Sequence, residues 1–223
     1  MVRASALAVF DLDGTLVDSA EVFADVINDM LAERCCGGAR VTSEAARQAV
    51  SLGGRGMLAS LLREHGRDPD ADLDEFRARY VAIPTPPSSL YPGVSEGLAE
   101  LAAMGVRMAI CSNKPQRLCE KVVLDLGLDG RFASVVGSTP DLPAKPDPAL
   151  FEKALALAGA QPSKRCLVGD EITDQLLARA VGAPFIHAAY GYGARAADFR
   201  DEAHASAFSA VPSLVAHALG LVR

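Results

Sequence analysis

Apolar residues run without a gap from Ala6 to Phe10 and stop at Asp11. Such a run is too short for a helix, and its acidic boundary predicts a strand covered on both faces. Runs of the same kind recur at Val106–Cys111, Val135–Val136, Arg165–Val168 and Pro184–Ile186. Between them, apolar positions fall at helical spacing over Ser95–Met104, Gln116–Leu126, Asp147–Ala158 and Thr173–Val181, the first and third opening with cap-type residues. Strands alternating with helices of this length predict an α/β protein, a Rossmann-like parallel sheet with helices on both sides.

The interval from about Ser19 to Ser89 breaks the alternation, because it holds helical patterns but no clear strand. Val22, Phe23, Val26, Ile27, Met30 and Leu31 share one face of a helix that is expected to end at Gly37-Gly38. Shorter helices are predicted at Ser43–Ser51, Met57–His65 and Leu73–Val81. The stretch Pro84-Thr85-Pro86-Pro87-Ser88-Ser89 closes the interval as a stiff polar linker. The predicted organisation is a core of residues 1–17 and 90–223 with an all-helical insertion at 18–89. Hinges are expected near Val17–Ser19 and Pro84–Ser89, so that the insertion opens and closes over the core.

Composition narrows the function more than the fold. With 22 basic against 28 acidic residues the formal charge is −6, and no basic tract could release counterions from a polyphosphate backbone. Nucleic acid is therefore not an expected partner. The five cysteines are odd in number and lack C-x-x-C spacing, which reads as reduced thiols in a cytoplasmic protein. The apolar run ending at Phe10 is too short for a signal peptide or a membrane span, so no membrane association is expected. His65, His187, His204 and His217 show no paired ligand spacing and read as surface or packing residues. Gly191 and Gly193 form only part of a dinucleotide pattern, in a segment expected to turn.

The chemistry begins where the first strand ends, at Asp11-Leu12-Asp13-Gly14-Thr15. Two carboxylates one residue apart emerge at the carboxyl end of a buried parallel strand, where open α/β sheets bind ligands, and Gly14 lets the backbone turn away. Their repulsion is relieved either by a cation between them, Mg²⁺ being the obvious hard ion, or by a proton on one. The five-residue string should arise by chance in roughly one chain in a thousand of this length. A second acidic loop, Gly169-Asp170-Glu171-Ile172-Thr173-Asp174, follows another apolar strand, with Asp170 at the strand end and Asp174 one helical turn on. Met108–Cys111 runs into Ser112-Asn113, where Ser112 is either a helix N-cap or, with neighbouring N–H groups, a phosphate ligand. Lys145 sits in a Pro-bracketed loop, either as a solvated charge or as the cation that several carboxylates and a phosphate require.

These four stretches, in this order and spacing, resemble the motifs of the haloacid dehalogenase (HAD) superfamily of phosphotransferases from residue 6 to about 190. The helical insertion resembles the small cap of its phosphoglycolate phosphatase and β-phosphoglucomutase branch. Ser112-Asn-Lys-Pro, Tyr91-Pro-Gly-Val and Tyr190-Gly-Tyr-Gly look most like the phosphoglycolate phosphatase group. The resemblance implies that Asp11 attacks phosphorus, that Asp13 is the acid and base, and that Lys145 balances charge. It assigns Gly14, Thr15, Ser112 and Asn113 to the phosphoryl group. Mg²⁺ is implied at Asp11, the Asp13 backbone carbonyl and Asp170, with Asp174 touching the ion or a group that does.

One position departs from the pattern: Glu171 stands where the family has a small hydroxyl residue, and it either adjusts the metal's surroundings or faces solvent. Asp13 sets the chain apart from haloacid dehalogenases. The five lysines all follow the insertion, so no cap amine is available for phosphonate hydrolysis. Arg55, in Ser51-Leu-Gly-Gly-Arg-Gly, is expected in a loop between helices, where it is either solvated or pairs with a substrate carboxylate. The leading expectation is a Mg²⁺-dependent phosphatase of a small phosphorylated metabolite, best phosphoglycolate, acting as a monomer or homodimer. A sugar phosphomutase of the β-phosphoglucomutase type, a pyrophosphatase or sugar-phosphate phosphatase, and a phosphoacceptor signalling protein are its rivals.

Overall fold

A computed structural model describes residues 6–34, 38–159, 164–193, 199 and 202–221. The Cys35-Cys36 pair and the Gly37 helix end lie outside them. The chain divides into two compact units, residues 1–17 with 90–223 and residues 18–89.

The first unit is a doubly wound α/β fold. Strands β1 (Ala6–Phe10), β2 (Arg107–Pro115), β3 (Ser134–Ser138), β4 (Lys164–Gly169), β5 (Phe185–Ala188) and β6 (Ala203–Ala205) form one sheet in the order β3-β2-β1-β4-β5-β6. Every pairing is parallel. The chain winds outward from β1 first to one side and then to the other, so the switch of direction falls between β1 and β4. Side chains at the carboxyl ends of those two strands thus share the crevice where such sheets place their ligands.

Every residue of β1 is buried, as a strand covered on both faces requires. Alternation sends Leu7 and Val9 into a cluster with Leu150, Phe151 and Ala154 of α7 (Ala149–Leu157) and Leu177 and Ala178 of α8 (Ile172–Ala180). Phe10, with the opposite parity to Leu7 and Val9, packs against Phe208, ring centroids 6.2 Å apart. Gly97 of α5 (Val94–Ala103) lies so close to that ring that a Cβ would press on it. Helices α6 (Gln116–Asp125) and α9 (Val211–Ala218) complete the unit.

The second unit is all helical: α1 (Ala20–Glu33), α2 (Ser43–Ala49), α3 (Gly53–Leu62) and α4 (Pro69–Ala82). Phe23, Phe76 and Tyr80 form its aromatic centre, with centroids 5.4 to 6.0 Å apart. Beside them the Arg34 side chain, 5% exposed, donates to Asp72 at 2.8 Å, to Glu75 at 2.7 Å and to the His65 carbonyl at 2.9 Å. The Asn28 side chain bridges both backbone groups of Val41.

Several boundaries differ from the sequence expectation for identifiable reasons. Helix α4 starts at Pro69 rather than Leu73, because the Asp68 carboxylate caps Asp70 and Ala71 N–H and proline suits the first helical turn. Helix α3 starts at Gly53 rather than Met57, following a turn of 3₁₀ helix at Val50–Leu52. Arg55 is therefore in a helix and not in a loop; exposed, it pairs with Asp70. Strand β2 continues to Pro115, four residues past its apolar run. Strand β6 and helix α9 had no clear pattern: β6 is three residues at a sheet edge. No helix among the described residues is long and apolar enough to cross a membrane.

The helical unit generates a stability prediction. Replacing Arg34 by Met removes the cation between two carboxylates, one of them buried, and is expected to cost about 3 kcal/mol or more, the usual result of breaking a buried ion pair from one side. Urea denaturation measures it, and a loss below about 1 kcal/mol would show that the network is no more than a surface pair.

Candidate functional site

The four sequence stretches converge at the carboxyl ends of β1, β2 and β4. Asp11 follows β1, and its N–H donates to the Val168 carbonyl of β4, extending the ladder by one bond at 2.9 Å. Asp170 follows β4, and Asp174 stands in the first turn of α8. The carboxylates of Asp11, Asp170 and Asp174 each bring an oxygen to within 4.8 Å of the others, and all three residues are buried.

One cation enters this cluster. Lys145 Nζ lies 2.6 Å from Asp174 Oδ1 and 2.9 Å from Asp11 Oδ1, with its side chain 2% exposed. The approach to Asp11 is an ion pair without hydrogen-bond alignment, so Asp11 Oδ1 remains a buried acceptor with no donor aimed at it. Burial works against the ammonium, yet the charges of Asp11 and then Asp174 outweigh it and hold the Lys145 pKa above its ordinary value. The carboxylate pKa values rise as well, which for them favours the neutral form. Burial, then Asp11 and Asp174, raises the Asp170 pKa well above the ordinary range. Burial, opposed by Lys145, raises that of Asp174 too. The raised values share one cause: among the described residues, three buried carboxylates crowd around the Lys145 ammonium.

Each member is held by its own local device. Asp170 Oδ1 accepts from the Thr15 hydroxyl at 3.0 Å, and Oδ2 accepts from the Tyr192 and Gly193 N–H groups at 2.8 and 3.3 Å. The Tyr190 hydroxyl, from the same segment, donates to the Thr15 carbonyl at 2.8 Å, and its ring meets Tyr91 edge-on at 4.9 Å. Asp174 Oδ2 accepts from Glu171 N–H at 3.1 Å, the N-terminal cap of α8. Asn113 brackets the Lys145 backbone, accepting from its N–H at 2.7 Å and donating to its carbonyl at 3.2 Å.

Gly14 and Gly191 let two turns close on the site. Gly14 has φ +82°, and a Cβ there would collide with the Asp170 carboxylate. A Cβ on Gly191 would strike both the Gly14 carbonyl and Asp170. The turn after β1 and the turn after β5 close on Asp170 from two sides, at a distance only bare backbone permits.

Measured against expectation, Asp11, Asp170, Asp174 and Lys145 come together, with Gly14 and Thr15 beside them. Three of the predicted residues take partners within the protein. Thr15 gives its hydroxyl to Asp170. Asn113 spends its amide on Lys145. Ser112 is no helix cap, since α6 begins beyond Pro115; buried on β2, its Oγ accepts from Lys114 N–H at 3.3 Å. Asp13 stands apart from the carboxylate cluster, with Lys114 Nζ 3.0 Å from each of its oxygens.

Lys114 and the Tyr190–Gly193 segment carried no assigned role in the sequence, although both lie in quoted motifs. Strand alternation carried to Pro115 puts Lys114 on the same side as Ser112, which was the available signal. The segment offered none, because its contribution is backbone N–H. Three cysteines are buried free thiols, and burial pushes Cys111 and Cys166 up to about 12, out of reach of nucleophilic use.

The arrangement fits a divalent cation on its own terms. A hard ion at about 2.1 Å from each oxygen holds its ligands within about 4.2 Å of one another, close to the separation observed, and offers a ligand bond to Asp11 Oδ1, which no hydrogen bond takes.

A family model for haloacid dehalogenase-like hydrolases matches residues 6–182. A phosphoglycolate phosphatase of Rhodospirillum rubrum is 35% identical over 193 residues, covering 82% of this chain and 79% of its own. One from Mesorhizobium japonicum is 33% identical over 215 residues, with 92% of each chain covered. Among solved structures, a haloacid dehalogenase-like hydrolase of Streptococcus pneumoniae superposes with a TM-score of 0.76 at 22% identity over 95% of this chain and 98% of that one, a likeness of fold.

Gly191→Ala is expected to destabilise the protein by about 1–3 kcal/mol, the cost of overpacking against backbone that cannot retreat, read by thermal denaturation. Gly191 is not at positive φ, so this cost is one of contact and not of backbone conformation.

Proposed function

This chain belongs to the haloacid dehalogenase-like hydrolases, and from that membership we propose that it is a Mg²⁺-dependent phosphatase that hydrolyses phosphoglycolate through an aspartyl-phosphate. The observation that carries the reading is the bare buried oxygen of Asp11 beside Lys145 and two further carboxylates. An acceptor left without a donor in such a place is a group kept for a ligand.

In the proposed reaction an Asp11 carboxylate oxygen forms a bond to phosphorus while the bond from phosphorus to the ester oxygen breaks. Asp13 gives its proton to the departing alkoxide, which leaves as the alcohol. A water then attacks the phosphorus of the aspartyl-phosphate, Asp13 takes the water's proton, and phosphate leaves with Asp11 restored. Lys145 offsets the negative charge of the phosphoryl group. Ser112, whose Oγ accepts from the backbone, turns its hydroxyl hydrogen to a phosphoryl oxygen. Mg²⁺, held by Asp11, Asp170 and the Asp13 backbone carbonyl, supplies charge neutralisation that makes two anions approachable. Asp174, with both oxygens occupied by Lys145 and Glu171 N–H, is proposed to orient Lys145.

Phosphate release from phosphoglycolate, hexose phosphates, nucleotides and pyrophosphate, with and without Mg²⁺, tests the reading. Phosphoglycolate is expected to turn over fastest, and Asp11→Asn to lower every rate by more than about a thousandfold, as removal of a nucleophile does. Chelation with EDTA is expected to abolish turnover and added Mg²⁺ to restore it. A hexose phosphate that isomerises without phosphate release would replace this reading with a phosphomutase, and a long-lived phosphoprotein with a signalling protein.

A further inference from the structure

The site holds a second buried cation for which phosphoryl transfer has no evident need. Lys145 already serves the phosphoryl side, between Asp11 and Asp174. Lys114 lies on the other side, its Nζ 3.0 Å from both oxygens of Asp13 and its side chain 4% exposed. In the reaction proposed above, Asp13 is the group that touches the leaving oxygen, so Lys114 adjoins the leaving group.

From this placement we infer that Lys114 recognises a carboxylate on the carbon next to the phosphate ester, and so makes 2-phospho acids the preferred substrates. The inference rests on the phosphatase reading. Both Asp13 oxygens are engaged by Lys114, and a leaving-group oxygen has to take one of them. That exchange turns an ammonium N–H away from Asp13, in a place nearly closed to water, where an unmatched charged donor is costly. A carboxylate one carbon removed from the ester oxygen meets that N–H as its oxygen neighbour meets Asp13. Leaving oxygen, Asp13, Lys114 and carboxylate then close a ring of ordinary hydrogen bonds, each of about 2.7–3.0 Å. A neutral alcohol group in the same place offers no anion, so its binding leaves the ammonium poorly matched. Arg55, for which the sequence left open a substrate carboxylate or solvent, is exposed in α3 and pairs with Asp70.

The test compares kcat/KM for phosphoglycolate and 2-hydroxyethyl phosphate, which differ only in carboxylate against alcohol, in the wild type, Lys114→Met and Lys114→Arg. Any effect on Asp13 falls on both substrates and cancels in the ratio. Lys114→Met is expected to lower the phosphoglycolate preference about ten- to a hundredfold, the usual worth of a hydrogen bond to a charged group, and Lys114→Arg to recover part of it. An unchanged ratio overturns the inference while leaving the phosphatase reading in place. A wild type that hydrolyses no phosphate ester would instead sink the functional reading itself. Should Lys114→Met fail to fold, product inhibition of the wild type decides: glycolate is expected to compete with 2-hydroxyethyl phosphate far better than ethylene glycol does, and equal competition overturns the inference.

Discussion

Three carboxylates and one ammonium share a buried space at the ends of β1 and β4, and the surrounding structure is organised around their mismatch. Like charges at this distance repel strongly when water is excluded, so each group must be restrained by something other than its neighbours. Asp170 is gripped by the Thr15 hydroxyl and two N–H groups from the turn after β5. Asp174 is tied to the first turn of α8, and Lys145 is fixed through its backbone by Asn113. These restraints keep the oxygens of the cluster converging where they would otherwise splay apart, which preorganises them for a cation and an anionic substrate.

The parallel sheet makes such a cluster possible. Because the chain winds both ways from β1, the ends of neighbouring strands from distant parts of the sequence face one crevice. Glycines then allow the turns to close: Gly14 and Gly191 bring two backbone segments onto one carboxylate, where any side chain would hold them off. Hydrophobic packing fixes the strands, and their ends deliver polar groups to within hydrogen-bond distance. Stability and chemistry are thus separated along each strand, apolar within and polar at the tip.

The two lysines divide the site by chemistry. Lys145 pairs with the cluster and Lys114 with Asp13, so each of the two aspartates in Asp11-Leu12-Asp13 has its own cation. Two carboxylates one residue apart can then do different work, because their surroundings differ although their residue type does not.

Much of this was legible in the chain. The gapless run Ala6–Phe10 marked β1 and its end at Phe10, since five apolar residues closed by Asp11 leave few other readings. The helical insertion showed itself as an interval without strands. Asp11, Asp170, Asp174 and Lys145 stood out because they lie in ordered motifs that resemble those of one superfamily, and the fold brings the four together. Other features were hidden for physical reasons. The extension of β2 to Pro115 runs through polar residues, so no apolar pattern marks it, and with it went the side on which Lys114 lies. Strand β6 depends on β5 for pairing more than on its own three residues. Thr15 and Asn113 could donate to many partners, and only the folded chain decided that Asp170 and Lys145 receive them. Sequence thus determined which residue types stand at strand ends and helix starts, because periodicity is local. Tertiary structure decided which of them share hydrogen bonds and charge, because those depend on distances between segments up to 175 residues apart.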